Sequence, residues 1–374
     1  MAATDAARAV LNPFVAAALA LPGILPAAAL AQSIPDQGVF SLNYLDYRDW
    51  QPGGDRMRVR SPSMYVLAPF ADKWTFEGTL VYDAMSGASP LWFNTLSGAS
   101  GQGVTDYRSA GDAKVTRYFD RYSIGVGGAY SHEHDYISRA GSLDARWWTA
   151  DKNTTLAFGF AGNADYIHPT DRFLDNGRRH TLDFLVGVTQ SLTPVDIVQS
   201  NVTYSTGHGF YSDPYKPLDT RPGERRVWTW LTRYDHYYAG QDATLQLGYR
   251  YLNDSFGGDS HTFDAAWVQP LPWGVTLTPS FRYYTQGAAD FWFGPPYPQG
   301  FAIDQNFTAD TRLSAFGAIT AGVKVAKVLA DGWTVDLRFD FYRQRPGWRT
   351  FGEGSPGIEP FSARWIAAGV TKTF

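Results

Sequence analysis

From residue 38 onward, apolar and polar side chains alternate almost without interruption. In Thr75-Phe-Glu-Gly-Thr-Leu-Val-Tyr-Asp83, Phe76, Leu80 and Tyr82 share one face, while Glu77, Thr79 and Asp83 share the other. Trp333-Thr-Val-Asp-Leu-Arg-Phe-Asp-Phe341 is cleaner still: every odd position is apolar, and Asp336, Arg338 and Asp340 fall together on the opposite side. A helix would scatter those charges around its circumference, whereas a period of two is the signature of a strand with one face in each environment. Read this way, the sequence predicts sixteen strands. They lie near 39–48, 56–68, 73–85, 107–119, 121–135, 140–149, 153–166, 178–192, 195–208, 224–237, 242–254, 260–269, 274–286, 310–327, 332–343 and 361–374.

The connections sort by parity. After every second strand the linker is short, as at 69–72, 150–152, 193–194, 239–241 and 270–273. The alternate linkers are mostly longer and rich in Gly, Pro and aromatics, as at 86–106, 209–223, 287–309 and 344–360. Short turns on one rim and long loops on the other are how antiparallel barrels that span a bilayer are built, with the long loops outside the cell. A strand tilted by about 40° advances roughly 2.5 Å per residue along the barrel axis, so about ten residues cross a ~25 Å apolar band. Closure is required, because an open edge would leave backbone donors unpaired in lipid. The expected fold is therefore all-β: a transmembrane antiparallel up-and-down barrel of about sixteen strands.

Composition agrees without deciding. Aromatics are 16% of residues while mean hydropathy is only −0.27, as expected when alternation hides an apolar face. Tyr44, Trp74, Tyr130, Trp147, Trp228, Trp267 and Trp333 lie near strand ends, where they suit interfacial girdles. Cysteine is absent, which excludes disulfides, thiolate metal sites and thiol redox chemistry. A net charge of −4 argues against a nucleic-acid partner. Residues 1–31 carry one cation, Arg8, then an Ala/Leu-rich run broken by Pro13, Pro22 and Pro26, and finish Ala29-Leu30-Ala31. That is the pattern of a cleaved export signal rather than a spanning helix, leaving residues 32–374 as the barrel.

Several motifs carry a resemblance. Ser131-His-Glu-His-Asp-Tyr-Ile-Ser138, Ser212-Asp-Pro-Tyr-Lys216, Tyr249-Arg-Tyr251 with Asp254, Ser260-His-Thr262 with Gln269-Pro-Leu271, Arg282-Tyr-Tyr284, Ala288-Ala-Asp-Phe291 and Arg312-Leu-Ser-Ala-Phe-Gly317 occur in order. Together they resemble an uncharacterised domain-of-unknown-function family of Gram-negative proteins taken to be outer-membrane β-barrels. The resemblance implies a barrel in the cell outer membrane, in contact with outer-membrane lipid. It also implies possible periplasmic redox or flavin-transferring lipoprotein partners, and no established activity. The closing strand ends on Phe374, where such barrels carry the aromatic that the barrel-assembly machinery reads; Lys372 departs from the usual outward apolar residue.

If apolar positions face lipid, the complementary set faces the lumen. It includes Arg56, Arg58, Arg60, Glu77, Asp83, Arg250, Asp254, Arg282, Arg312, Asp336, Arg338 and Asp340. A lipid-facing Arg or Lys costs about 2–4 kcal/mol at the midplane, which is the reason to place these charges inward. The lumen is then either a salt-bridged filling or a polar conduit, with Arg56, Arg58 and Arg60 as its one single-sign row. The candidate metal ligands are His132, Glu133, His134, Asp135, His208 and His261, at the loop ends of strands. Imidazole with carboxylate suits Zn²⁺, Cu²⁺ or Fe as a divalent rim metal, although alternation turns the two histidines of the 132–135 run away from its two acids. Candidate catalytic residues are lacking: there is no nucleophile elbow, phosphate loop or zincin motif.

The leading functional expectation is a channel or docking barrel for a small polar or metal-bearing ligand. The alternatives are a sealed structural barrel anchoring periplasmic redox partners, or a hydrolase at the rim using His208 with Asp213, or His261 with Ser260.

Overall fold

The computed structural model describes residues 33–87, 104–170, 176–216, 219–294 and 305–374. The expected leader and much of the 86–106 loop lie outside these residues. Sixteen strands follow in chain order. The first eight are β1 (Val39–Gln51), β2 (Gly54–Phe70), β3 (Trp74–Gly87), β4 (Val104–Tyr118), β5 (Tyr122–His132), β6 (Tyr136–Trp148), β7 (Thr154–Ile167) and β8 (Gly177–Thr193). The others are β9 (Asp196–Gly209), β10 (Glu224–Tyr238), β11 (Ala243–Asp254), β12 (Asp259–Leu271), β13 (Val275–Gln286), β14 (Phe316–Val328), β15 (Trp333–Arg345) and β16 (Phe361–Thr373). Each pairs antiparallel with its sequence neighbours, and β1 pairs with β16 to close the barrel. The seam is finished by reciprocal backbone bonds between Gly38 and Phe374 at 2.7 and 3.0 Å. No described helix is long and apolar enough to cross a membrane.

The predicted strands are all present, with one informative shift. The strand expected from 310 begins only at Phe316, because the Asp310 carboxylate accepts from the Arg312 N–H and caps a 3₁₀ turn over Thr311–Leu313. Arg312 therefore belongs to a loop and not to the strand wall where sequence placed it.

Alternation sorts the wall into two faces. Outward positions carry the exposed apolar side chains, among them Leu80, Val126, Val186 and Leu337, each more than half exposed. Exposed Trp and Tyr rings accompany them. So many exposed large apolar side chains on one face of a sheet are more than a water-facing domain tolerates. Inward positions carry buried polar and charged groups, including Asp83, Arg108, Lys114, Asp144, Arg146, Asp165 and Asp340. A sixteen-strand ring is too wide for side chains alone to fill.

The inner face is stitched by ion pairs between neighbouring strands. Arg108 Nε donates to Asp83 at 2.7 Å and Arg282 Nε to Asp264 at 2.6 Å, and Lys324 lies 3.5 Å from Asp336; within β15, Arg338 Nε donates to Asp340 at 2.6 Å. Lys114 on β4 reaches Asp144 on β6 at 2.8 Å across the intervening β5. Gly125 of β5 permits this: a Cβ there would sit 2.6 Å from the Asp144 carboxylate and 2.7 Å from Lys114 Cε.

Glu77, Asp83, Arg250, Asp254, Arg282, Asp336, Arg338 and Asp340 lie on this inner face by register. Arg58 and Arg60 do not. Met57, Val59 and Ser61 are the buried residues of that stretch, and Met57 and Val59 pack inside with Tyr47, Met85, Phe361 and Ala363. Arg58 stands opposite Arg48 and Arg60 opposite Asp46, on the face that also carries exposed Leu42 and Tyr44. The lipid penalty that argues for burial acts only within a hydrocarbon band, and these arginines lie on the β1–β2 hairpin side of the wall.

Candidate functional site

The termini and the tight turns define one rim; the long loops define the other. At the loop rim, the β9–β10 connection opens with Ser212-Asp-Pro-Tyr-Lys216. The Asp213 carboxylate accepts from the Tyr215 N–H at 3.1 Å, and its carbonyl accepts from the Lys216 N–H at 3.2 Å. This Asp-Pro turn is locally encoded, and it aims two neighbouring side chains in different directions.

The Tyr215 hydroxyl donates to Asp135 Oδ2 at 2.9 Å, on the β5–β6 hairpin, and accepts from the Thr170 N–H at 2.8 Å. Lys216 Nζ lies 3.0 Å from Asp310 Oδ2, in the β13–β14 connection. Arg221 Nη2 joins the same oxygen at 2.8 Å, and Arg312 Nε donates to Asp310 Oδ1 at 2.8 Å. Arg221 also holds Asp219 at 2.8 Å, which accepts from Thr308 Oγ1 at 2.5 Å, and Arg312 Nη2 approaches Asp213 at 3.4 Å. Backbone bonds in both directions between Thr220 and Phe307, each 2.8 Å, add a short sheet-like bridge. Below them Phe256, Ala289 and Phe291 form an apolar floor with Tyr211, Trp292 and Leu313. Arg179 and Arg225 stack on the Tyr211 and Phe256 rings at 5.3 and 4.8 Å.

The placement of these partners matters most. In the ring order, the β5–β6 hairpin and the β13–β14 connection lie on opposite walls of the barrel, with the β9–β10 loop midway between. Residues 210–216 and 219–223 of that loop therefore form a strap that ties connections from opposite walls together over the mouth. Its charges balance: Lys216, Arg221 and Arg312 face Asp213, Asp219 and Asp310. Burial opposes ionisation of Asp310, but Lys216 and Arg221 outweigh it and hold that carboxyl below its ordinary value. Burial pushes the Asp213 carboxyl up, with Asp310 adding to the effect and Lys216 opposing it. Arg221 is buried yet kept charged by Asp310 and Asp219, its pKa raised.

Beside the strap, the carboxylates of Asp106, Glu133 and Asp135 come within 4.8 Å of one another. One Asp135 oxygen is buried without a hydrogen-bond partner. An oxygen-only set of this kind fits a hard cation such as Ca²⁺ or Mg²⁺.

The histidines expected to complete a softer site stand elsewhere. His132 is exposed on the outer face beside Ile137, and His134 is exposed at the hairpin tip. His208 faces outward 3.8 Å from Glu224. His261 sits outside among Tyr249, Tyr251 and Phe351. Alternation sends Glu133 inward and its neighbouring ring outward, so no imidazole among these joins the acids. The same alternation separates Ser260, buried inside, from His261, which removes that pair as nucleophile and base. Asp106, Arg221 and Asp310 escaped sequence reasoning: the first two lay in presumed loop, the third at the head of a presumed strand. Tyr215 and Lys216 were signalled by their motif but without partners.

The family model described as "Protein of unknown function (DUF3570)" matches residues 11–100 and 93–362. No curated protein matches the sequence. Among solved structures, CdiB from Acinetobacter baumannii superposes with a TM-score of 0.48 at 8% identity over 88% of this chain, which spans 60% of that protein. The siderophore receptor PirA from Pseudomonas aeruginosa gives 0.45 at 9% identity, covering 91% of this chain and 80% of the receptor. A Pseudomonas aeruginosa FadL homologue gives 0.44 at 10%, covering 93% and 92%. The chain belongs to the DUF3570 family.

Proposed function

We propose that this family member is an outer-membrane barrel of the Gram-negative cell, loop rim outward, whose mouth is strapped shut at rest. In this reading it docks or admits a small polar or metal-bearing ligand only when the strap lifts. The apolar outer face supports the membrane location, since burying it in hydrocarbon is the arrangement that removes it from water. One observation carries the gating: the neighbouring Tyr215 and Lys216 of the strap are tied at once to Asp135 on one wall and Asp310 on the other. A charged ligand, or a cation at Asp106, Glu133 and Asp135, would compete directly for the groups that hold the strap down.

Planar-bilayer conductance of the refolded protein tests this. The wild type is expected to be nearly silent and Asp310→Asn to conduct. Silence in both would favour the second reading, a sealed barrel that anchors periplasmic redox partners, which the paired inner-face charges also support. A large steady conductance from the wild type would end the closed-mouth reading.

A further inference from the structure

Arg58 and Arg60, which the sequence reading places in the lumen, belong to a different feature on the outside of the barrel. Arg48 on β1 stands directly opposite Arg364 on β16 and directly opposite Arg58 on β2. Three guanidinium groups thus form a row across three adjacent strands. Arg60 lies two residues along β2, and Arg343 on β15 faces Ser362, two residues from Arg364.

Like charges directly opposite on neighbouring strands repel. Asp46 is the acid within the row: it accepts from Arg48 Nε at 3.2 Å and Arg58 Nε at 3.0 Å, and lies 4.0 Å from Arg60. Asp55, opposite Trp50, is a second carboxylate nearer the hairpin tip. Five arginines therefore face two acids. Arg343 and Arg364 are exposed and make no hydrogen bond or ion pair among the described residues. Arg139, Arg178 and Arg226, at comparable outward positions elsewhere, stand opposite Tyr130, Tyr166 and Thr206 respectively rather than opposite another cation.

The row sits at a boundary. Toward the other rim the outer face turns apolar: Ile366 follows Arg364 on β16, Phe341 and Phe339 follow Arg343 on β15, and Tyr44 and Leu42 follow Asp46 on β1. With the loop rim outward, this is the level of the outer-leaflet headgroups. A partner that fits must offer anionic oxygens above and hydrocarbon below. Planar guanidinium forks match phosphate oxygens in bidentate fashion, and strand spacing makes the row about 10 Å wide.

We infer that the outer surface of β15, β16, β1 and β2 is a binding site for a phosphorylated lipid of the outer leaflet, its phosphate held by Arg48, Arg58 and Arg364. The inference rests on the outer-membrane orientation proposed above.

The test uses the full barrel in phosphatidylcholine vesicles carrying lipid A, with vesicle flotation scored first and retained lipid then counted by native mass spectrometry. The wild type is expected to retain phosphorylated lipid A more than about tenfold better than R48Q/R58Q/R364Q, with R48K/R58K/R364K in between. Phosphatase-treated lipid A should bind the wild type no better than the Gln variant binds the intact lipid. R139Q/R178Q, on another part of the wall, should match the wild type. Single Arg→Gln proteins guard against a folding defect in the triple variant, and each should lose part of the retention. Equal retention by wild type and Gln variants, or indifference to the lipid's phosphates, overturns the site. Equally tight binding of inorganic phosphate overturns the lipid assignment. A wild-type protein that fails to float with vesicles overturns the membrane reading instead.

Discussion

The two rims of this barrel solve the same problem, reversing a strand, by opposite means. At the rim holding the termini, the connections are brief, from 194–195 to 149–153, and six residues other than glycine there adopt the left-handed conformation: Ala71, Asp72, Lys152, Asp242, Trp273 and Asp331. Phe351 is the one described case at the loop rim. Tight reversal is obtained there from local backbone strain. The loop rim keeps brief turns at 52–53, 133–135 and 255–258, but its β9–β10 and β13–β14 connections use length and charge. Key contacts there join residues about 80 to 90 positions apart, such as Asp135 with Tyr215 and Asp219 with Thr308. A rim built locally cannot respond to a distant event. A rim built from long-range ion pairs can.

That contrast is most directly broken at Asp310. Asp310→Asn removes the buried charge that Lys216, Arg221 and Arg312 share, and breaking a buried ion pair costs about 3–5 kcal/mol. Amide exchange at Thr220 and Phe307 should rise by at least two orders of magnitude, while exchange in the short turns stays unchanged. An unchanged loop rim would mean that the apolar floor, and not the ion pairs, holds the strap.

Acidification tests the same pairs in the intact chain. The Asp310 pKa is depressed, so its contribution is complete above the ordinary carboxyl value of about 4 and fades as pH falls through and below it. Asp213 is raised, so taking up a proton favours the closed strap over the interval above that. Closure measured by conductance should therefore persist on descending from neutral pH and fail only below about pH 4.

Tyr215→Phe is expected to be milder. It deletes the hydroxyl between Asp135 and the Thr170 N–H, a loss of about 1–3 kcal/mol felt on the β5–β6 side alone. Exchange at Thr170 should increase while exchange at Thr220 does not. The smallest effect belongs to the other rim. Lys152→Gly relieves a left-handed backbone and should stabilise the barrel by no more than about 1 kcal/mol, with conductance unaltered.

The alternating pattern made most strands legible, and the Asp-Pro-Tyr turn was visible as a turn. Charge alone argues for placing Arg58 and Arg60 in the lumen, although counting alternate residues back from exposed Leu80, through Met64 opposite it, turns both outward. The strand expected from 310 was extended through Asp310 because Ala, Thr and Leu nearby suit a strand equally well. Its side-chain cap overrides that preference, and the cap exists because Lys216 and Arg221 hold the carboxylate in place.

Strand count, the two faces of each strand and the sorting of short from long connections follow from the chain alone, because a pleated backbone turns successive side chains to opposite sides whatever lies beyond them. Which loops meet, and hence whether the mouth is open, was decided only when the ring closed. Closure sets walls eight strands apart across one lumen, and a charge on one wall finds its partner by geometry that no local spacing records.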